Sequence, residues 1–172
     1  MNTGFAVIAI VFFMVFSSSF VSAQNKQKAP DFSGTWVLDT AKSKLDERDR
    51  IQSLTLTVTQ GKDDIHVDSA FKLIPYNPAF MGGLMTRPLE QNTSNTYRFD
   101  GKETQGQVPS PGGPVAATLS AKVDGGKLLL SQTMGDPVVT LKETWTISED
   151  CKTLTIERVT GRASTLVFNR KR

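Results

Sequence analysis

Leu54-Thr55-Leu56-Thr57-Val58-Thr59 sets an apolar side chain against a threonine at every step. Successive side chains of an extended chain point to opposite faces, so this stretch predicts a strand with one apolar and one β-branched polar face. The same spacing of two recurs at Ile65 and Val67, Tyr97 and Phe99, Leu119, Ala121 and Val123, and Leu128 and Leu130. It appears again at Trp145 and Ile147, Leu154 and Ile156, and Leu166 and Phe168. Between the runs stand Asp100-Gly101, Asp124-Gly125-Gly126, Gly135-Asp136-Pro137 and Thr160-Gly161-Arg162. Each supplies a residue that tolerates positive φ where a hairpin must reverse. The pattern predicts an all-β protein, a single antiparallel meander of about eight to ten strands that closes into a barrel and removes its own edges. Only Thr40 to Arg50 reads as helical, with charges and few apolar anchors.

Outward from this pattern, the domain begins near Asp31 and runs to Arg172. Residues 1–23 read as a signal peptide. Phe5 to Phe16 is an uncharged apolar run too short to span a bilayer core of about 30 Å comfortably, and Val21-Ser22-Ala23 supplies the small residues of a cleavage site. Residues 24–30 are polar, lysine-rich and without period, a flexible leader. The expected product is secreted or periplasmic, one domain with no membrane span once the signal is removed.

The net charge of +3 is carried by lysines and arginines that alternate with acids, with clusters at the two ends of the mature chain. A nucleic-acid partner would ask for a basic face interleaved with aromatics, so none is expected. Cys151 is the only cysteine, so no internal disulfide staples the fold and packing alone must hold it. Its thiol, in the turn Ser148 to Lys152, is either idle at the surface or available for an intermolecular bridge.

Two segments break the strand pattern. Leu73 to Asn92 gathers three prolines, Gly82-Gly83, Met81, Met85, Tyr76 and Phe80, unusually apolar for a loop. It reads as a flap over a barrel mouth, as packing on the barrel's exterior, or as a docking site for an envelope protein partner. Gln105 to Pro114, with Pro109, Pro111, Gly112, Gly113 and Pro114, reads as a stiff connection.

The opening Asp31-Phe32-Ser33-Gly34-Thr35-Trp36 resembles the start of lipocalins and fatty-acid-binding proteins, the calycin group. It is similar to the lipocalin-like domains of exported bacterial proteins, many of which share this opening. The resemblance implies a closed barrel in which Trp36 plugs the base and an arginine from the end of the last strand packs across it. Arg170 fits, since it shares the parity of Leu166 and Phe168. Two departures stand out: about a dozen residues separate Leu38 from Ile51, too few for a two-helix lid, and no helix follows the last strand.

No nucleophile, P-loop, dinucleotide or zincin motif is present, and neither a cofactor nor a metal is expected. His66 is the only histidine, which excludes zinc sites built on several imidazoles, and its parity between Ile65 and Val67 turns it to solvent. One constellation is sharper. Counting by twos from Trp145 turns Glu143 inward, and counting from Leu154 and Ile156 does the same for Arg158. Folding about Glu149 and Asp150 brings the two nearly opposite on adjacent strands. Either Arg158, held by Glu143, fixes the polar head of an apolar ligand, as the inward arginines of fatty-acid-binding proteins imply, or the pair is a half-solvated rim contact.

The leading expectation is an exported barrel binding a small apolar or amphipathic molecule, lined by Leu54, Leu56, Tyr97, Phe99, Leu128, Leu130 and Trp145 with Glu143 and Arg158. A solid barrel serving as an envelope interaction module is the competing reading. An enzyme of the barrel mouth with Glu143 as base is the third.

Overall fold

In the computed structural model, which describes residues 30–46, 49–74, 89–110 and 112–171, the alternating runs form ten strands. They are β1 (Gly34–Leu38), β2 (Ile51–Gln60), β3 (Asp64–Leu73), β4 (Leu89–Arg98), β5 (Thr104–Val108), β6 (Val115–Asp124), β7 (Lys127–Met134), β8 (Val139–Ile147), β9 (Thr153–Val159) and β10 (Ala163–Arg170). The signal segment and residues 24–29 of the leader lie outside the described residues, as do residues 75–88 of the apolar loop. No helix among the described residues is long and apolar enough to cross a membrane.

All ten strands belong to one antiparallel sheet in the order β4-β3-β2-β1-β10-β9-β8-β7-β6-β5. β1 pairs with β10, so the chain's first and last strands lie side by side at the sheet's centre. The meander predicted from the alternation is therefore present, curled into a nearly closed barrel. Leu54, Leu56 and Val58 of β2 are buried while the threonines between them are not, the division the alternation requires. The tightest reversal joins β6 to β7 through Gly125 and Gly126, at φ 55 and 78, between the paired Asp124 and Lys127. Positive φ at both central residues suits the twist of the flanking strands.

The helix expected over Thr40 to Arg50 is not formed among the described residues of that segment. Thr40 to Lys42 make a single turn, closed by the Ser43 N–H donating to the Asp39 carbonyl at 3.1 Å. The chain then extends, and Lys44 exchanges two backbone hydrogen bonds with Thr165 of β10 at 2.7 and 2.8 Å. A short charged segment with few apolar anchors gains little as an isolated helix, whereas this bridge satisfies backbone groups directly.

The sheet's two end strands, β4 and β5, run beside one another without a backbone ladder. Side-chain amides join them instead. Asn95 donates through Nδ2 to the Gln107 carbonyl at 2.8 Å and accepts the Gln107 N–H through Oδ1 at 2.9 Å. Gln91 makes the same paired contact with the carbonyl and N–H of Ser110. Each amide thus stands in for a peptide of the missing strand. Gly106 leaves room for this: a Cβ there would stand 2.3 Å from Asn95 Oδ1.

Candidate functional site

An antiparallel meander puts alternate connections at opposite ends, and the two ends of this barrel differ in what fills them. At the base, Phe32, Trp36, Leu128, Leu154 and Phe168 are wholly buried. Trp36 Nε1 donates to the Phe32 carbonyl at 2.9 Å, and the Phe32 ring meets Trp145 edge-on at 6.1 Å. The Arg170 guanidinium lies over the Trp36 ring, 4.3 Å from its centroid. It is held there by the carbonyls of Ser33 and Cys151, at 2.9 and 2.8 Å. Gly34 matters here, since a Cβ would stand 3.0 Å from Arg170 Nη1 and its φ of 127 disfavours any side chain.

Toward the other end the interior opens into a cavity of about 390 Å³. This is the lower part of the range of about 300–1,000 Å³ usual for small-molecule sites. Leu54 and Leu56 of β2, Val67 and Phe71 of β3, and Trp145 and Ile156 supply apolar wall. Asp46, Asp49, Thr160 and Arg162 stand among the residues lining its outer part, where the Arg162 side chain is 69% exposed.

Several polar side chains of the lining already have partners. Glu143, buried on β8, faces Arg158 in register on β9. Its Oε1 accepts from Arg158 Nε at 2.9 Å and Nη2 at 2.7 Å, and its Oε2 accepts from Trp145 Nε1 at 2.9 Å. The side chains are 4% and 16% exposed, so the pair is internal and not the half-solvated rim contact. Beside it, Gln132 Nε2 donates to the Tyr97 hydroxyl at 2.8 Å. Burial, and after it the Glu143 charge, push the Tyr97 phenol well above its ordinary range. No buried side-chain polar atom among the described residues lacks a partner.

Of the residues expected in a ligand site, Leu54, Leu56, Tyr97, Glu143, Trp145 and Arg158 line the cavity. Leu128, Leu130 and Phe99 do not. Leu128 and Leu130 are buried in the packed part of the core, and Phe99 lies past the end of β4, where its N–H donates to the Asp63 carbonyl at 2.9 Å. Parity places a side chain inward but not at a given depth, and depth here separates wall from floor. The sequence reading passed over Thr93, Asn95 and Gln132, all buried and all lining the cavity. Counting back by twos from Tyr97 and on by twos from Leu130 would have reached them.

His66 sits on the outer face of β3, half exposed, with Thr96 Oγ1 on Nδ1 at 2.9 Å. Ser94 Oγ and Asp68 Oδ1 both approach Nε2 at 3.2 Å. Serine and acid thus crowd one nitrogen on an open surface, which is not the nucleophile-base-acid relay of a hydrolase. No metal-ligating cluster exists among the described residues.

No family model matches the chain, and no curated protein matches it. Solved structures do. The REP1-NXSQ fatty acid transporter superposes with a TM-score of 0.55 at 12% identity, over 81% of this chain and 96% of its own. Fatty-acid-binding protein 1 of Echinococcus granulosus gives 0.54 at 13% identity, over 82% and 98%. Human cRBP IV gives 0.51 at 15% identity, over 83% and 99%. At these identities the likeness is one of fold: this chain shares with those proteins a barrel that it builds from a ten-stranded antiparallel meander.

Proposed function

We propose that this protein is an exported carrier that holds a small amphipathic molecule inside its barrel. The observation that carries the reading is the cavity itself, whose lining mixes apolar wall from Leu54, Leu56, Val67, Phe71 and Ile156 with polar side chains, among them the bonded groups of Tyr97, Gln132, Glu143 and Arg158. An amphipathic molecule fits such a mixed lining, since the apolar part of the wall buries its body and the polar side chains meet its polar end. The fatty acid transporter and the fatty-acid-binding protein that share the fold are named for molecules of this kind. A solid interaction module would not contain this space. An enzyme using Glu143 as base is disfavoured, because both carboxylate oxygens are already engaged by Arg158 and Trp145. Export rests on the signal-like residues 1–23, and the bacterial, periplasmic or secreted setting is part of the same proposal.

The test is binding of a neutral apolar dye, N-phenylnaphthylamine, whose fluorescence rises on leaving water. Wild type should enhance it and Ser69→Trp, which places a ring in the cavity, should not. Equal enhancement by both would place the dye elsewhere and remove the reading. Amino-terminal sequencing of the protein from its own host checks export separately, with a start at Gln24 expected and an intact Met1 contradicting it.

A further inference from the structure

We infer that the ligand's polar end is uncharged, a hydroxyl, carbonyl or amide, and that the Glu143–Arg158 pair excludes a carboxylate. The inference rests on the carrier reading above and narrows it. Among the described residues that line the cavity only Arg158 and Arg162 are cationic, against Asp46, Asp49 and Glu143. Arg162 lies at the exposed outer part, 3.5 Å from Asp46 Oδ2. Arg158 is the one cation deep enough to meet a buried head, and its charge is neutralised before any ligand arrives. Two of its nitrogens converge on one oxygen of Glu143, while the other oxygen is tied to the Trp145 indole. Glu143 cannot swing aside to free the guanidinium without leaving the buried indole N–H unpaired.

A ligand carboxylate placed against Arg158 would therefore bring a second negative charge beside Glu143 and share a single cation with it. Like charges at such range in a water-poor interior force one carboxyl to take up a proton or leave. An uncharged head meets no such conflict. The Tyr97 hydroxyl accepts from Gln132, with the Asn95 amide as a second polar neighbour, and the guanidinium keeps one nitrogen, Nη1, beyond the two spent on Glu143. Thr93 on the adjoining wall adds a hydroxyl. The fold neighbours named for fatty acids thus share the barrel but not necessarily the head group.

The experiment is displacement of N-phenylnaphthylamine by decanol and by decanoate, matched in chain length, at about pH 8, where an alkyl carboxylic acid is ionised. Wild type should prefer decanol by about tenfold or more. Glu143→Gln removes the competing charge and frees the guanidinium, so decanoate should bind about tenfold tighter while decanol changes about twofold or less. The paired variant Glu143→Gln with Arg158→Gln should still take decanol and still refuse decanoate, which covers the case in which a lone buried arginine prevents folding. Decanoate displacing the dye from wild type as well as decanol overturns the head-group inference and leaves the carrier reading intact. So does displacement by neither. A dye that never binds sinks the carrier reading, and this inference with it.

Discussion

The base and the mouth half of this barrel are built from the same strands and obey the same alternation, yet they solve the problem of the interior in opposite ways. At the base the inward residues are Phe32, Trp36, Leu154 and Phe168, large apolar side chains that are wholly buried against one another's strands. In the mouth half the inward residues include Gln91, Thr93, Asn95, Gln132, Glu143 and Arg158, which cannot pack against one another without partners. Gln91, Asn95, Gln132, Glu143 and Arg158 find partners in separate bonded pairs, and a cavity stands beside them. Close packing and open space are thus separated along one axis.

The largest effect should come from breaking the base. Trp36→Ala removes a wholly buried indole, its hydrogen bond to Phe32 and the ring under Arg170. A loss of about 3–5 kcal/mol is expected in denaturant unfolding. A loss under about 1 kcal/mol would mean that the base is not the stability centre.

Next is the network of the mouth half. Arg158→Met leaves Glu143 buried with only the Trp145 N–H, and should cost about 3 kcal/mol. Adding Glu143→Leu should recover most of it, because an apolar pair of similar bulk owes nothing to desolvation. If the double variant is no better than the single one, the cavity wall depends on the pair for more than charge balance.

A smaller effect belongs to the β4–β5 seam. Asn95→Ala strands the N–H and carbonyl of Gln107, worth about 1–3 kcal/mol. Hydrogen exchange at the Gln107 amide should accelerate well before exchange in β2, whose ladder is intact on both sides. Equal protection of the two strands would show that the amide contacts do not hold the seam.

These regions were unequally legible in the sequence. The base and the meander could be read because a strand with a wet face and a dry face prints a period of two, as at Leu54 to Thr59. The opposition of Glu143 and Arg158 followed from counting about one turn, and register is what such counting gives. The inner face of β4 was hidden because polar residues occupy both of its faces, so Gln91, Thr93 and Asn95 leave no apolar period. The β4–β5 seam was hidden for another reason: it is made by side chains far apart in sequence, outside any ladder. Thr40 to Arg50 was misread because its charges suggested an exposed helix, while the bridge to Thr165 is a tertiary contact that local propensity does not contain.

The smallest effects are those of pH, and they sharpen the contrast because the two regions titrate at opposite ends of the scale. In the turn after β4, hydrogen bonds from the Arg98 guanidinium and then the Lys102 N–H pull the Asp100 carboxyl from 3.8 down to about 2. Between those values the unfolded chain binds the proton and the folded one does not. The contribution is therefore present above pH 3.8 and lost as pH falls toward 2, and it is shallow because the group is exposed. In the cavity, burial and then Glu143 raise the Tyr97 phenol above its ordinary 10.0. Its contribution is full below pH 10.0 and declines as pH rises beyond it, where only the unfolded phenol ionises. Asp100→Asn should flatten the acid limb of a urea-midpoint profile and spare the alkaline one, and Tyr97→Phe should do the reverse. A Tyr97→Phe profile that falls above pH 10.0 as steeply as the wild-type one would mean that ionisation of the phenol is not coupled to folding, and that the interior of the mouth half is wetter than its bonded groups imply.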